Sequence, residues 1–369
     1  MNLFIDATNI RGGGGLVHLN SILEHANPTS FIFSKVIVCS STDTLNRLPN
    51  HPWLIKHGEM LIDSNSYFDR WRWRKFRFRE VLKAYGNPIL FCVGTIKPPF
   101  DYSYYTICQN LLPLELRELL RFGFSLVTLR LLILRFVHLK AYRNAEGVIF
   151  LTQHCYEVLP TRIKRDLKKH TVIHHGIDHR LFKRTGDARF EGVTKVLYVS
   201  NIDQYKHQDT VAQAVINLNQ RAIPVQLSLV GSSYKPTLRR LQRVMGSVAN
   251  GRNWVQIKGV MSHQEQIAEY EKSDISLIAS SCESFGMTLT ESLALGMPIA
   301  CSSIPSFKEI AQDAAVYFDP QEVKSIERAI EKLATDEYLR RVLSEKAFTR
   351  AQAFSWENTS RRTFDFLSN

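Results

Sequence analysis

A chain of 369 residues is long for a single core and suits two domains of ordinary size. Hydrophobic residues make up 44% and charged residues 22%, with neither Gly nor Pro enriched and no repeat of solenoid period; this describes a soluble globular protein and excludes low-complexity and repeat architectures. Lys and Arg number 47 against 35 acidic residues, and the resulting +12 asks for an anionic partner: nucleic acid, a membrane surface or a phosphorylated substrate.

The first apolar run, Leu3-Phe4-Ile5, is interrupted at Asp6 and has no basic segment before it, so it reads as a strand and not as a signal peptide. Residues 12–15 are four consecutive glycines between that strand and a helix. Without Cβ atoms their backbone can approach a phosphate closely, and Gly13 and Gly14 are candidate contacts. The run is not a Walker loop, because no Gly-Lys-Ser/Thr follows, and it lacks the dinucleotide-binding spacing. Further buried strands are expected at Val36-Ile37-Val38, Ile89-Leu90-Phe91, Tyr105-Thr106-Ile107 and residues 148–151. Charged, poorly patterned residues between Gly176 and Val193 mark a domain boundary. A second set of strands is expected at residues 196–199, 226–230, 254–257, 275–279 and 299–301. Continuous apolar strands separated by helices predict two parallel sheets covered on both faces, that is, an α/β chain of two doubly wound, Rossmann-like domains.

Two basic stretches interrupt this pattern. Residues 70–79 read Arg70, Trp71, Arg72, Trp73, Arg74, Lys75, Phe76, Arg77, Phe78 and Arg79. Residues 117–143 interleave leucines with Arg117, Arg121, Arg130, Arg135, Lys140 and Arg143. Trp and Arg mixed in this way suit the headgroup region of an anionic leaflet, and they equally suit domain helices whose arginines stay solvated. No nucleic-acid-binding motif accompanies the charge, so nucleic acid is not expected as a partner. No stretch reaches the roughly 18 uninterrupted apolar residues of a membrane span. The six cysteines form no Cys-x-x-Cys pair and read as small core hydrophobes of a reducing compartment, not as zinc ligands. A cytoplasmic location follows, either free or peripheral on the inner face of the plasma membrane.

In open parallel sheets ligands bind at the carboxyl ends of strands. Residues 12–15, 201–206, 231–234 and 283–286 each follow a predicted strand, so four loops converge on such edges. Among them the segment from Glu283 to Glu291 is the most informative. It places one carboxylate on the loop after a strand and the other on the second turn of a helix. Between them the free N–H groups near Gly286, Met287 and Thr288 attract anions and hydroxyl oxygens. Two acceptor-only carboxylates flanking a donor-rich backbone suit a ligand that carries both hydroxyls and phosphates, such as a nucleotide-sugar.

Glu283, Phe285-Gly286 and Glu291 resemble the signature of the retaining glycosyltransferases of family 4, which have the GT-B fold. Val172-Ile173-His174-His175-Gly176-Ile177-Asp178 followed by Phe182 resembles the linker of these enzymes. Val196-Leu197-Tyr198-Val199-Ser200-Asn201 with Lys206 resembles their first C-terminal strand and phosphate loop. Leu229-Val230-Gly231, Ile257-Lys258-Gly259-Val260 and Phe354-Ser355-Trp356 complete a resemblance that covers residues 172–369.

The resemblance implies two domains facing a central cleft: residues 1–180 for the acceptor, residues 181–354 for the nucleotide-sugar, and residues 355–369 as a helix crossing back to the first domain. It implies that Glu291 binds the ribose and that Glu283 addresses the donor sugar with help from the amides of Phe285 to Thr288. Lys206 would face the diphosphate, with Asn201, Gly231 and Val260 lining the nucleotide. The chain departs from the pattern in carrying Asn201 where relatives carry Arg, and His207 where they carry Gly. Gln109 or Asn110 stands where many relatives place a histidine, for which His18, His174 and His175 are other candidates.

No Asp-x-Asp pair occurs, in agreement with a metal-independent mechanism that needs no cofactor beyond the nucleotide-diphospho-sugar donor. Similarity to bacterial surface-polysaccharide (O-antigen or capsule) enzymes implies a GDP-, UDP- or ADP-linked hexose, with mannose from GDP-mannose favoured, and a glycolipid or polysaccharide acceptor. The competing readings are a nucleotide-sugar epimerase or hydrolase on the same fold, and a non-enzymatic protein using its basic face on membranes or nucleic acid.

Overall fold

Strands that are apolar on both faces are stable only where helices cover both sides of the sheet, and this chain builds that arrangement twice. The computed structural model describes residues 1–27, 32–64, 66–179, 192–249 and 251–368. The chain divides into two units. The first comprises Met1–Leu114, Phe124–Gly176 and Ser355–Asn369, and the second Glu115–Gly123 and Ile177–Phe354. The expected domain boundary at residues 180–181 and Phe182 of the linker motif lie outside the described residues.

Among the described residues the first unit holds seven strands: β1 (Asn2–Asp6), β2 (Lys35–Cys39), β3 (Leu54–His57), β4 (Ile89–Cys92), β5 (Tyr104–Cys108), β6 (Gly147–Phe150) and β7 (His170–Val172). They pair in parallel in the order β3-β2-β1-β4-β5-β6-β7. The second unit holds six: β8 (Thr194–Val199), β9 (Val225–Val230), β10 (Val255–Gly259), β11 (Ile275–Ile278), β12 (Ile299–Ser302) and β13 (Val316–Phe318). These are also parallel, in the order β10-β9-β8-β11-β12-β13. Both orders reverse once, at β1–β4 and at β8–β11, as in doubly wound nucleotide-binding folds.

The expected strands are present. Three more, β3, β7 and β13, escaped the sequence reading. All are sheet edges of three or four residues with half-exposed positions, so they lack the continuous apolar run that marks a central strand. Trp254 ends the short helix Gly251–Trp254 and does not begin a strand.

Helix Trp356–Ser368 packs within the first unit. Trp356, Phe364 and Leu367 are buried, Ser360 Oγ donates to the Ile22 carbonyl at 2.7 Å, and Thr359 Oγ1 donates to the His174 carbonyl at 2.8 Å. Phe366 lies against Tyr105 and above Gly147, where a Cβ would come within 2.7 Å of its ring, so β6 has to begin with glycine.

The arginine-rich stretch is partly structural. On helix Tyr67–Phe76 the Arg74 guanidinium turns inward and pairs with Asp6 at the end of β1. It also reaches Thr8 Oγ1 at 3.3 Å and the carbonyls of Ile96 and Lys97 at 3.4 Å. Burial opposes the charge on Arg74, but Asp6, together with the neighbouring Cys92 and Cys39, more than reverses this and raises its pKa. Arg70 donates to the Ser64 carbonyl at 2.9 Å, and Arg77 to Glu80 at 2.6 Å. Arg72 is exposed.

Removing one partner of a buried, hydrogen-bonded ion pair leaves the other charge uncompensated. Arg74→Ala is therefore expected to lower stability by about 3 kcal/mol, against less than about 0.5 kcal/mol for Arg72→Ala, measured by denaturant unfolding. Equal effects of the two substitutions would mean that Arg74 does not anchor its helix.

Candidate active site

The second unit gathers its chemistry at the strands where the order reverses. The loop after β8 carries Asn201 and Lys206, and the loop after β11 carries Glu283. These strands are neighbours, so side chains from the two loops meet: Lys206 Nζ and Glu283 Oε1 form an ion pair whose side chains are 12% and 20% exposed. Burial lowers the pKa of Lys206, but Glu283 and the neighbouring tyrosines more than reverse this, and the ammonium titrates above its ordinary range. It is a fixed positive charge at neutral pH, 5.0 Å from the centre of the Tyr205 ring.

Both loops are held from beneath. The buried Tyr198 hydroxyl donates to the Lys206 carbonyl at 2.9 Å, and Ser281 N donates to the Tyr205 carbonyl at 2.8 Å. His207, with φ of 52°, takes the left-handed conformation that favours glycine and starts helix Gln208–Gln220. Its side chain is buried, and Nε2 lies 2.9 Å from Ser281 Oγ. Ser281 Oγ donates to Glu118 Oε2 at 2.6 Å, and Arg121 Nε lies 2.6 Å from the same carboxylate. Burial, reinforced by Arg121, lowers the His207 pKa to about 4, so the ring is neutral at pH 7.

After Glu283 the chain turns through Phe285 and Gly286 into helix Met287–Ala294. Gly286 has φ of +94°, and a Cβ there would meet the Phe307 ring at 2.6 Å, so both conformation and space require glycine. No side chain caps this helix, which leaves its first N–H groups, near Met287 and Thr288, for another partner. The Phe285 ring is buried edge-on against Phe354, 5.8 Å between centres, so only its backbone faces the loop. Glu291 sits on the second turn, and its Oε2 accepts from the Tyr270 hydroxyl at 3.3 Å. Burial raises the Glu291 carboxyl to about 7, partly offset by that hydrogen bond.

Asn201 is exposed and accepts from Ser232 Oγ at 2.9 Å. Gly231, with φ of +142°, lies so close to the Ser200 carbonyl that a Cβ would come within 2.3 Å of it, and its N–H donates to Gly259 at 2.8 Å. Val260 follows at the end of β10 and is 77% exposed. Asn201, Gly231 and Val260 thus follow the adjacent strands β8, β9 and β10, all of which end on one edge of the sheet.

Gly13 and Gly14 belong to the first unit. Gly13 (φ +62°) opens helix Gly13–Glu24, whose start no side chain caps, and a Cβ on Gly13 would meet nothing within 4 Å. In the same unit Gln109 Oε1 lies 3.3 Å from the Cβ position of Gly15, and Asn110 accepts from the Leu112 N–H at 3.1 Å. His18 and His175 are core residues: their rings meet at a tilt of 49° with Nδ1 atoms 3.0 Å apart, and burial lowers His18 to about 4.

Tyr270, Ser281 and Glu118 are partners that the sequence did not disclose. Tyr270 and Glu118 are brought in by tertiary structure alone. Ser281 had only its place two residues before Glu283 as a signal.

Residues 181–350 match the family model described as Glycosyl transferases group 1. The O-antigen chain mannosyltransferase B of Escherichia coli is 27% identical over 112 residues, which is 30% of this chain and 29% of that protein. The chain thus spans under a third of the length of this curated relative. Among solved structures, a sucrose-phosphate synthase from Thermosynechococcus elongatus superposes with a TM-score of 0.78 at 18% identity, covering 99% of this chain and 98% of the other. HepE from Anabaena, solved with UDP and glucose, gives a TM-score of 0.72 at 17% identity, covering 100% and 99%. The chain therefore has the GT-B fold, and its residues 181–350 are similar to the glycosyl transferases group 1 family.

Proposed function

We propose that this chain is a retaining glycosyltransferase that moves a hexose from a nucleotide-diphospho-sugar to a lipid-linked oligosaccharide or polysaccharide, with GDP-mannose the favoured donor. The observation that carries this reading is the Lys206–Glu283 pair, set at the two switch-point strands beside an uncapped helix N-terminus. A fixed ammonium and free amides are what a departing diphosphate requires, because they stabilise charge that grows as the glycosidic bond breaks. Glu283 accepts from the sugar hydroxyls, and Glu291 accepts from the ribose diol. Asn201, Gly231 and Val260 line the nucleotide, and Gly13 and Gly14, whose helix start no side chain caps, offer backbone N–H groups to a phosphate. Retention then follows from attack on the same face as the leaving group, with a phosphate oxygen taking the acceptor's proton and no enzyme nucleophile required. Lys206 and the helix end meet the diphosphate charge in place of a divalent ion. The mannosyltransferase relative supports mannose, and the UDP and glucose held by HepE support the wider nucleotide-sugar class.

The acceptor's lipid has a matching surface in the first unit. No described helix is long and apolar enough to cross a membrane. Helix Leu126–Asn144 nevertheless leaves Leu126, Leu129, Ile133 and Phe136 exposed at a spacing that places them on one face, preceded by exposed Phe124 and accompanied by exposed Arg130 and Lys140. An apolar helix face with flanking cations fits the interface of an anionic bilayer.

The test of the donor reading is thermal stabilisation by GDP-, UDP- and ADP-sugars. A ligand that binds only the folded state, at 100 times its dissociation constant, adds about 2.7 kcal/mol. GDP-mannose is expected to stabilise the wild type, and Glu291→Ala and Lys206→Ala are expected to lose most of the shift. If no nucleotide-sugar moves the wild-type transition, the proposal fails.

Glu291 must be ionised to accept both ribose hydroxyls, and its carboxyl titrates near 7. Affinity for the sugar conjugate should therefore rise between about pH 6 and 8 and level off above, because protonation removes the acceptor as pH falls. The conjugate's diphosphate diester does not titrate in that range, so calorimetry on Glu291→Gln should show a flat profile. A slope that persists in the variant would assign the dependence to another group.

For the surface, vesicles containing phosphatidylglycerol should sediment the wild type, while phosphatidylcholine vesicles should not. Ile133→Glu with Phe136→Glu should abolish sedimentation without changing donor stabilisation. Equal sedimentation of wild type and variant would exclude this face.

A further inference from the structure

We propose that Glu118 and Ser281 are positioning residues that, together with His207, hold the Lys206–Glu283 pair in register. The inference rests on the donor-site reading above and adds to it how the pair is aimed.

Two separate loops carry the pair. Lys206 lies on the 3₁₀ turn Gln204–Lys206, and Glu283 lies on the link between β11 and helix Met287–Ala294. The direct neighbours of these residues are cross-linked. His207 follows Lys206, Ser281 precedes Glu283 by two positions, and their side chains meet at 2.9 Å. Ser281 also ties the loops through its backbone N–H to the Tyr205 carbonyl. The serine hydroxyl has one proton, and that proton goes to Glu118 at 2.6 Å, so His207 must donate from Nε2 to the serine oxygen. Glu118 is 5% exposed and is met by Arg121 on its own segment, Glu115–Gly123, which belongs to the second unit although its flanking residues belong to the first. The directed chain Arg121–Glu118–Ser281–His207 thus ends beside Lys206.

His207 shows that the contact has a cost. A histidine with φ of 52° is strained where a glycine would not be, and such strain persists where the surrounding structure fixes the residue. What it touches is Ser281. None of these three side chains needs to contact substrate. Their effect is to fix the angle at which the ammonium and the carboxylate leave their loops, a quantity to which transfer is steeply sensitive.

The test reads Lys206 directly. The full chain, as wild type, Ser281→Ala, Ser281→Thr and Glu118→Ala, is acetylated briefly with an N-hydroxysuccinimide ester, and the labelling of each lysine is followed by peptide mass spectrometry. The expected result is several-fold faster labelling of Lys206 in Ser281→Ala and Glu118→Ala, with Ser281→Thr close to wild type because it retains the hydroxyl. Lysines elsewhere in the second unit, such as Lys258 and Lys346, should label at the wild-type rate in every variant. Unchanged labelling of Lys206 overturns the proposal, and so does faster labelling of all lysines together, which would show general loosening. With the donor found by thermal stabilisation, kcat should fall on the order of tenfold in Ser281→Ala, while affinity for the bare nucleoside diphosphate stays near wild type. If Lys206 labelling responds as expected but no nucleotide-sugar binds the wild type, the donor reading fails and the positioning role stands.

Discussion

Every strand of the second unit runs in the same direction, and this one constraint delivers the loops after β8, β9, β10 and β11 to a common edge. Where the order reverses, the loops after β8 and β11 have no crossing helix between them, and a lysine from one can meet a glutamate from the other. The ion pair in turn depends on what lies beneath it: a buried tyrosine hydroxyl, a serine shared by two loops and a glycine whose place no other residue could take. Burial sets the electrostatics as well. It leaves Lys206 charged because a carboxylate is adjacent, and it pushes Glu291 towards neutrality because only a hydroxyl is.

The net charge of +12 does not describe one basic face. Arg74 neutralises Asp6 inside the first unit, Arg135 caps the carbonyls of Pro113 and Leu114, and Arg121 is held by Glu118. In the second unit Arg340 and Arg350 donate to the carbonyls of Leu333 and Ile310 at 2.8 and 2.7 Å. A guanidinium has five donors in a fixed fork, which makes arginine a structural residue as readily as a surface one. Among the cations that stay exposed, Arg130 and Lys140 lie next to exposed apolar side chains.

How much of this was legible depends on how local each signal is. Central strands announce themselves because burial on both faces demands an unbroken apolar run. Edge strands such as β3, with Lys56 and His57, do not. Glu283, Gly286 and Glu291 were legible because one strand–turn–helix unit places all three, and Lys206 because its loop follows a recognisable strand. Phe285 was legible as part of that motif, but the destination of its ring was not, since the partner Phe354 lies far along the chain. Tyr270 and Glu118 left no trace in the sequence, because a residue that supports another across the fold has no spacing to betray it. The two basic stretches left two readings open: the same arginines that suit a membrane also satisfy carbonyls, and only their direction distinguishes the two.

The helix Trp356–Ser368 packs into the first unit, although nearly the whole second unit separates it from the rest of that unit along the chain. A ribosome therefore finishes the second unit before the first can close. Until residues 355–368 emerge, the faces of Ile22, Phe33, Tyr105 and Gly147 that this helix contacts have nothing to cover them. The domain synthesised first is the one that matures last, and during that interval its uncovered apolar surface is open to non-native association.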